Sequence, residues 1–164
     1  MTLSRFTRES LDYPKQNIRA KLLADLTMSV KERNQDLNMT VELVRIHLAT
    51  NVKDGNLCKD MCAVIAINLR RVHDDAESSA KVWDKKHFHV KADELRAEAA
   101  WALPLSQIAE SMAYNPKAFD MVDCKRLNEL LPDFLEVPLR PRFKDISMLR
   151  GAAAAARSTL LRKR

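Results

Sequence analysis

Glycine occurs only twice in 164 residues, and aromatic side chains make up 5% of them. So little glycine argues against phosphate-cradling loops, tight β-hairpins and the turn-dense sandwiches and barrels that need many left-handed corners. A Walker loop and a dinucleotide fingerprint are excluded with them, and neither a nucleophile elbow nor an HExxH pair is present. The chain therefore reads as non-catalytic, with no cofactor implied. Long apolar runs are missing too: the run at 61–68 is bounded by Asp60 and Arg70, far short of the roughly 18 to 20 residues that cross a bilayer. Residues 1–13 hold Arg5, Arg8, Glu9 and Asp12 and no secretory-type apolar stretch, so the expectation is a cytoplasmic protein without membrane attachment. Cysteine is scarce and odd in number. Cys58, Cys62 and Cys124 fit reduced, packed thiols better than disulfides.

What the chain does contain favours helices. Apolar residues make up 46% and charged ones 30%, as in an ordinary folded domain. Leu, Ala, Lys, Arg and Met outweigh β-branched and aromatic types, which predicts an all-α fold. Asp12 and Pro14 mark a helix start, and Ile18, Leu22, Leu26 and Val30 give a helix over 14–33 its buried stripe. Polar residues 34–38 predict a turn. Leu37, Val41, Val44 and Leu48 then define a second helix that ends before 51–55, where Asp54-Gly55 is a breaker. Leu57, Met61, Ile65, Leu69 and Val72 mark the most apolar helix, 56–73, as the centre of an antiparallel helical bundle.

Beyond it, 74–79 reads as a loop, and 81–91 alternates with period two like an extended connector, placed near 77–91. Shorter helices follow through Leu95, Ala99 and Leu103, then Leu105, Ile108 and Met112, with a kink or new start at Pro104 and a further helix over 116–131. Residues 1–131 thus form the bundle domain, with short helices in its second half. Pro132, Pro138 and Pro141 predict an extended arm over 132–144 outside the packed body. Asp145 and five consecutive alanines predict a basic C-terminal helix over 145–164 that runs through Gly151.

Charge is distributed unevenly along the chain. Residues 1–137 carry 20 Lys/Arg against 21 Asp/Glu, whereas residues 138–164 carry 8 against 1. The whole positive excess is C-terminal, where it can meet a polyanion, and nucleic acid is the commonest such partner. Arg140, Arg142 and Lys144 make a positive track in the arm, with Phe143 among them as a stacking ring. Arg150, Arg157 and Arg164, spaced by seven, line one side of the expected helix beside Arg162 and Lys163. The adjoining face, with Leu149, Ala153, Ala156 and Leu160, is suited to docking on a protein.

Three further groupings are candidates. The segment 81–91 mixes Lys85, Lys86, His87 and His89 with Trp83 and Phe88, as single-strand grooves do, or ties the connector to the bundle through its rings. Cys58 and Cys62, one turn apart, face a metal-ligand reading only if His87 and His89 fold back to them; no CxxC pair is present, and the thiols read as core, with no metal. Finally, Ile108 and Ala109, Met112, Ala113, Tyr114, Phe119 and Val122 have the apolar spacing that resembles the helix-turn-helix of DNA-binding regulators. That resemblance implies a turn at Ala113, Phe119 and Val122 on the inner face of the second helix, and Asn115, Lys117 and Met121 nearest the bases. The same spacing also arises where two short helices merely pack.

Taken together, the residues point to a small helical subunit of a nucleoprotein assembly that grips DNA or RNA backbone with little sequence preference. The expected contacts are Arg140, Arg142, Lys144, Arg150, Arg157, Arg162, Lys163 and Arg164, with Lys85, Lys86 and Lys117 as accessory cations. Its other partners would be protein subunits, a second copy of itself among the options. The alternatives are a helix-turn-helix regulator acting through residues 105–122, and a protein–protein adaptor without nucleic acid.

Overall fold

A computed structural model describes residues 29–162, and every regular element among them is helical. Ser29 opens helix α1 (Val30–Glu42), its hydroxyl accepting the Glu32 amide at 3.1 Å. The helix predicted over 14–33 falls outside the described residues except at this start, and the turn predicted at 34–38 does not occur. Those polar residues are helical because one of them serves the interior: Asp36 is fully buried and its carboxylate lies 3.5 Å from Arg71 Nε. After Glu42 the helix widens into a π-helical turn (Leu43–His47) and ends at Thr50. That widening lets His47 Nε2 reach Glu42 Oε2, five residues back, at 2.7 Å.

Helix α2 (Gly55–Lys85) is the central mast, 31 residues or about 46 Å long. Asp54 caps it by accepting the Leu57 amide at 3.2 Å, so the predicted Asp54-Gly55 break holds. Met61, Cys62, Ala63, Ile65, Ala66 and Leu69 are all completely buried, and α2 is the element the other helices pack on. Its predicted end at His73 is too early by twelve residues, and the loop at 74–79 and the extended connector at 81–91 are corrected with it. No glycine or proline interrupts the stretch, Ala76 and Ala80 are buried one turn apart, and Asp75 pairs with Arg33 on α1 at 3.5 Å. Polar residues that read as a loop are the ones facing neighbouring helices.

The mast stops in a Schellman turn. The His87 amide donates to Asp84 O at 3.0 Å, the Phe88 amide donates to Trp83 O at 2.9 Å, and the Trp83 and Phe88 rings meet edge-on at 5.7 Å. His87 occupies the left-handed position, with φ 67°, that glycine normally takes. Replacing His87 with Gly should therefore stabilise the fold by about 0.5–1 kcal/mol. A thermal melt followed by circular dichroism should rise by roughly 1–4 °C; a fall would show that the imidazole contributes more than the backbone strain costs.

Helix α3 (His89–Glu98) returns along α2, tied by Arg96 to Glu77 at 3.3 Å and to Asp84 at 2.8 Å. Helix α4 (Ala102–Tyr114) starts anew with Pro104 in its first turn, where a missing amide is harmless. It runs antiparallel to α2, as Ser106 Oγ to Ala66 O at 2.6 Å and Lys59 Nζ to Asn115 O at 2.6 Å show. Helix α5 (Met121–Leu130) begins five residues later than expected, behind a capping box in which Asp120 and Asp123 serve each other's backbone.

The chain after Pro132 does not leave the body, as the prolines suggest. Phe143, Leu149, Ala152, Ala156 and Leu160 are buried in the same core as α2. The predicted continuous helix over 145–164 is instead a 3-10 turn (Ile146–Leu149), a break at Gly151 with φ 85°, and helix α6 (Ala152–Arg162). Asp60 sets that break by accepting the amides of Gly151 and Ala153, each at 3.0 Å, so α6 grows from a carboxylate fixed on α2. At its far end Arg70 donates to Leu160 O at 3.0 Å. The face expected to dock on another protein through Leu149 and Leu160 is therefore consumed internally.

Candidate nucleic-acid interface

The lone acid in the apolar run Val41–Val44 organises the site. Glu42 is fully buried; its Oε1 accepts the Arg142 amide at 2.6 Å, and its Oε2 accepts the Phe143 amide at 3.1 Å as well as His47. Burial pushes its carboxyl pKa up, but these hydrogen bonds together outweigh burial and leave it below the usual value. The clamp holds the arm backbone, and Phe143 packs against the edge of His47 at 5.8 Å. Upstream, Arg45 grips Asn128 O at 2.6 Å and Leu131 O at 3.3 Å, fixing where the arm departs from α5.

With its backbone held inward at Arg142 and Phe143, the arm leaves Arg140 and Lys144 exposed, and among the described residues neither forms an ion pair. Arg142 serves mainly through its amide, its side chain being half-buried. Phe143 is buried and offers no ring to a base. Arg150 lies before the Gly151 break and pairs with Asp54, which the guanidinium and then the Leu57 amide hold below the usual carboxylate range. Arg157 is exposed on α6, its guanidinium 5.6 Å from the centre of the Tyr114 ring, whose hydroxyl donates to Ala153 O at 2.8 Å. The predicted straight ridge of Arg150, Arg157 and Arg164 is thus broken at Gly151. Lys163 and Arg164 lie outside the described residues, as does the side chain of Arg162.

The fold adds Lys53, which periodicity could not single out. It is exposed in the turn beside Asp54 and so joins Arg150 at the N-terminal end of α2. Lys117 lies in the α4–α5 loop at this end and pairs with Asp120 at 3.4 Å. Lys85 and Lys86 are not brought here: they sit at the opposite end of the mast.

The helix-turn-helix spacing is not realised as that motif. Ala113 lies inside α4 and is buried, six residues of loop follow Tyr114, and Val122 is 69% exposed instead of facing inward. Nor can Cys58 and Cys62 meet His87 and His89, since the 23 helical residues from 63 to 85, about 35 Å, separate the pairs. Burial pushes Cys58 up to about 12 and raises Cys62 and Cys124 as well, keeping all three as thiols. Among the described residues no cluster suits a metal ion, and no helix is long and apolar enough to cross a membrane. No protein-family model, curated protein or solved structure matches the chain.

Proposed function

We propose that this chain is a non-catalytic subunit that holds nucleic-acid backbone through the pinned arm and the cations at the start of α2. The observation that carries this reading is the Glu42 clamp. A buried carboxylate pins the arm backbone so that Arg140 and Lys144 face solvent, while Arg150, further along the same stretch of chain, pairs with Asp54 next to Lys53. Fixed cations lose less freedom on meeting phosphates than cations on a loose tail do. The Arg150–Asp54 pair is exposed, and such pairs are weak in water, so a phosphate can displace the carboxylate. The arrangement presents charge and no base-reading edge, which supports low sequence preference on DNA or RNA. Exposed Val122, Leu130, Phe134, Val137 and Leu139 on α5 and the adjoining arm supply an apolar surface for a neighbouring subunit.

Salt dependence tests the reading. Six cations, Lys53, Arg140, Arg142, Lys144, Arg150 and Arg157, acting on duplex phosphates give a log–log slope of about −5, so affinity should fall roughly a thousandfold between 50 and 200 mM salt. Titrations of labelled single- and double-stranded DNA and RNA at those two concentrations measure it. A salt-independent affinity, or none at 50 mM, would sink the proposal.

A further inference from the structure

The α2–α3 tip, at the other end of the mast, carries a different chemistry. Phe88 is 57% exposed although it closes the Schellman turn. Trp83 meets it at 82°, an edge-to-face arrangement that covers at most one face of the Phe88 ring. Lys81, Lys85, Lys86 and Lys91 surround the tip, with Lys86 Nζ 5.4 Å from the Trp83 ring centre. The one acid in the segment, Asp84, is already engaged by His89 Nδ1 at 2.8 Å and by Arg96 at 2.8 Å. The tip is therefore an open aromatic face in a cationic setting whose local carboxylate is neutralised.

We infer that the tip is a second site, specific for single-stranded nucleic acid, in which an unstacked base lies on the open face of Phe88 and Lys85 and Lys86 hold the flanking phosphates. A duplex cannot use it, because its bases are already stacked on one another. Every base has a π-face, so the site accepts any sequence. Lys53 and Arg150 stand at the start of α2 and the tip at its end, about 46 Å away, so one molecule engages a duplex at the first site and a single strand at the tip. This inference borrows only the identity of the polymer from the reading above.

The test uses a four-nucleotide thymidylate or uridylate strand, too short to join the two ends, and the full chain carrying Trp101→Phe, which leaves Trp83 as the sole tryptophan. Binding should quench Trp83. Phe88→Leu keeps the apolar contact of the turn but removes the ring, and should weaken binding about tenfold or more. Its salt slope should not change, since no cation is lost; Lys85→Gln with Lys86→Gln should lower that slope by about 1.4, at roughly 0.7 for each single-strand phosphate contact. Phe88→Tyr should bind within twofold of the parent, and Arg140→Gln with Lys144→Gln should leave the Trp83 midpoint in place. The same labelled strand followed by anisotropy, on an Arg140→Gln/Lys144→Gln chain that retains Trp101, gives an independent readout. Equal affinity for Phe88→Leu and parent overturns the inference. So does quenching by phosphatidylserine vesicles but not by either strand, which would make the tip a lipid contact. Loss of the tip effect with duplex binding intact leaves the arm reading standing, and the reverse result leaves the tip standing.

Discussion

Replacing Glu42 with glutamine should cost about 3 kcal/mol, because a buried acceptor of three hydrogen bonds becomes a group that can no longer accept them all. Whichever way the amide is turned, its NH2 confronts a backbone donor: Arg142 N–H at the Oε1 position, or Phe143 N–H at the Oε2 position. For a chain of this size the melting midpoint should fall by roughly 6–12 °C. Because the clamp holds one segment, loosening should be seen there first, as faster tryptic cleavage after Arg142 and Lys144 under native conditions. Acid should act in the same direction. The Glu42 pKa is depressed by folding, so its contribution is complete above the unfolded carboxylate value of about 4.3 and is lost as pH falls through the lower native value. The gap between parent and variant should be widest near neutrality and close in acid. A variant with unchanged melting and unchanged cleavage would show that the arm is held by Phe143 packing alone.

Reversing Arg140 and Lys144 together to glutamate should reduce affinity for duplex DNA at 0.1 M salt about a hundredfold. Each phosphate contact contributes about 0.9 to the salt slope, so removing two takes about 1.8 from it and most of two decades from affinity at that concentration. Both side chains are exposed, so the variant should keep its helicity and melting point. Exchanging the two residue types, Arg140→Lys with Lys144→Arg, should leave affinity within about threefold, because backbone attraction depends chiefly on charge. If the double reversal leaves the slope untouched, the cations that meet phosphate lie elsewhere.

How legible these features are in the residues depends on distance along the chain. The all-α class, the break at Asp54-Gly55 and the buried stripe through Met61, Ile65 and Leu69 are readable because they rest on glycine content, capping and spacing within a few residues. The stretches 34–38 and 74–79 mislead for the converse reason. Polarity alone does not show that Asp36 lies buried against Arg71 or that Asp75 meets Arg33. Tyr114 and Phe119 carry a motif-like spacing, yet a six-residue loop set by the Asp120 cap separates the helices.

Residue order alone thus specifies the helical class, the central mast and the C-terminal excess of positive charge, all of them sums or spacings over neighbouring positions. The packing settles which cations stand together and which face of the last helix is buried. Those outcomes turn on Glu42 meeting Arg142, 100 residues away, and Asp60 meeting Gly151, 91 residues away. A hydrogen bond closed over that distance leaves no periodic trace, because its partners become neighbours only when the core between them has formed.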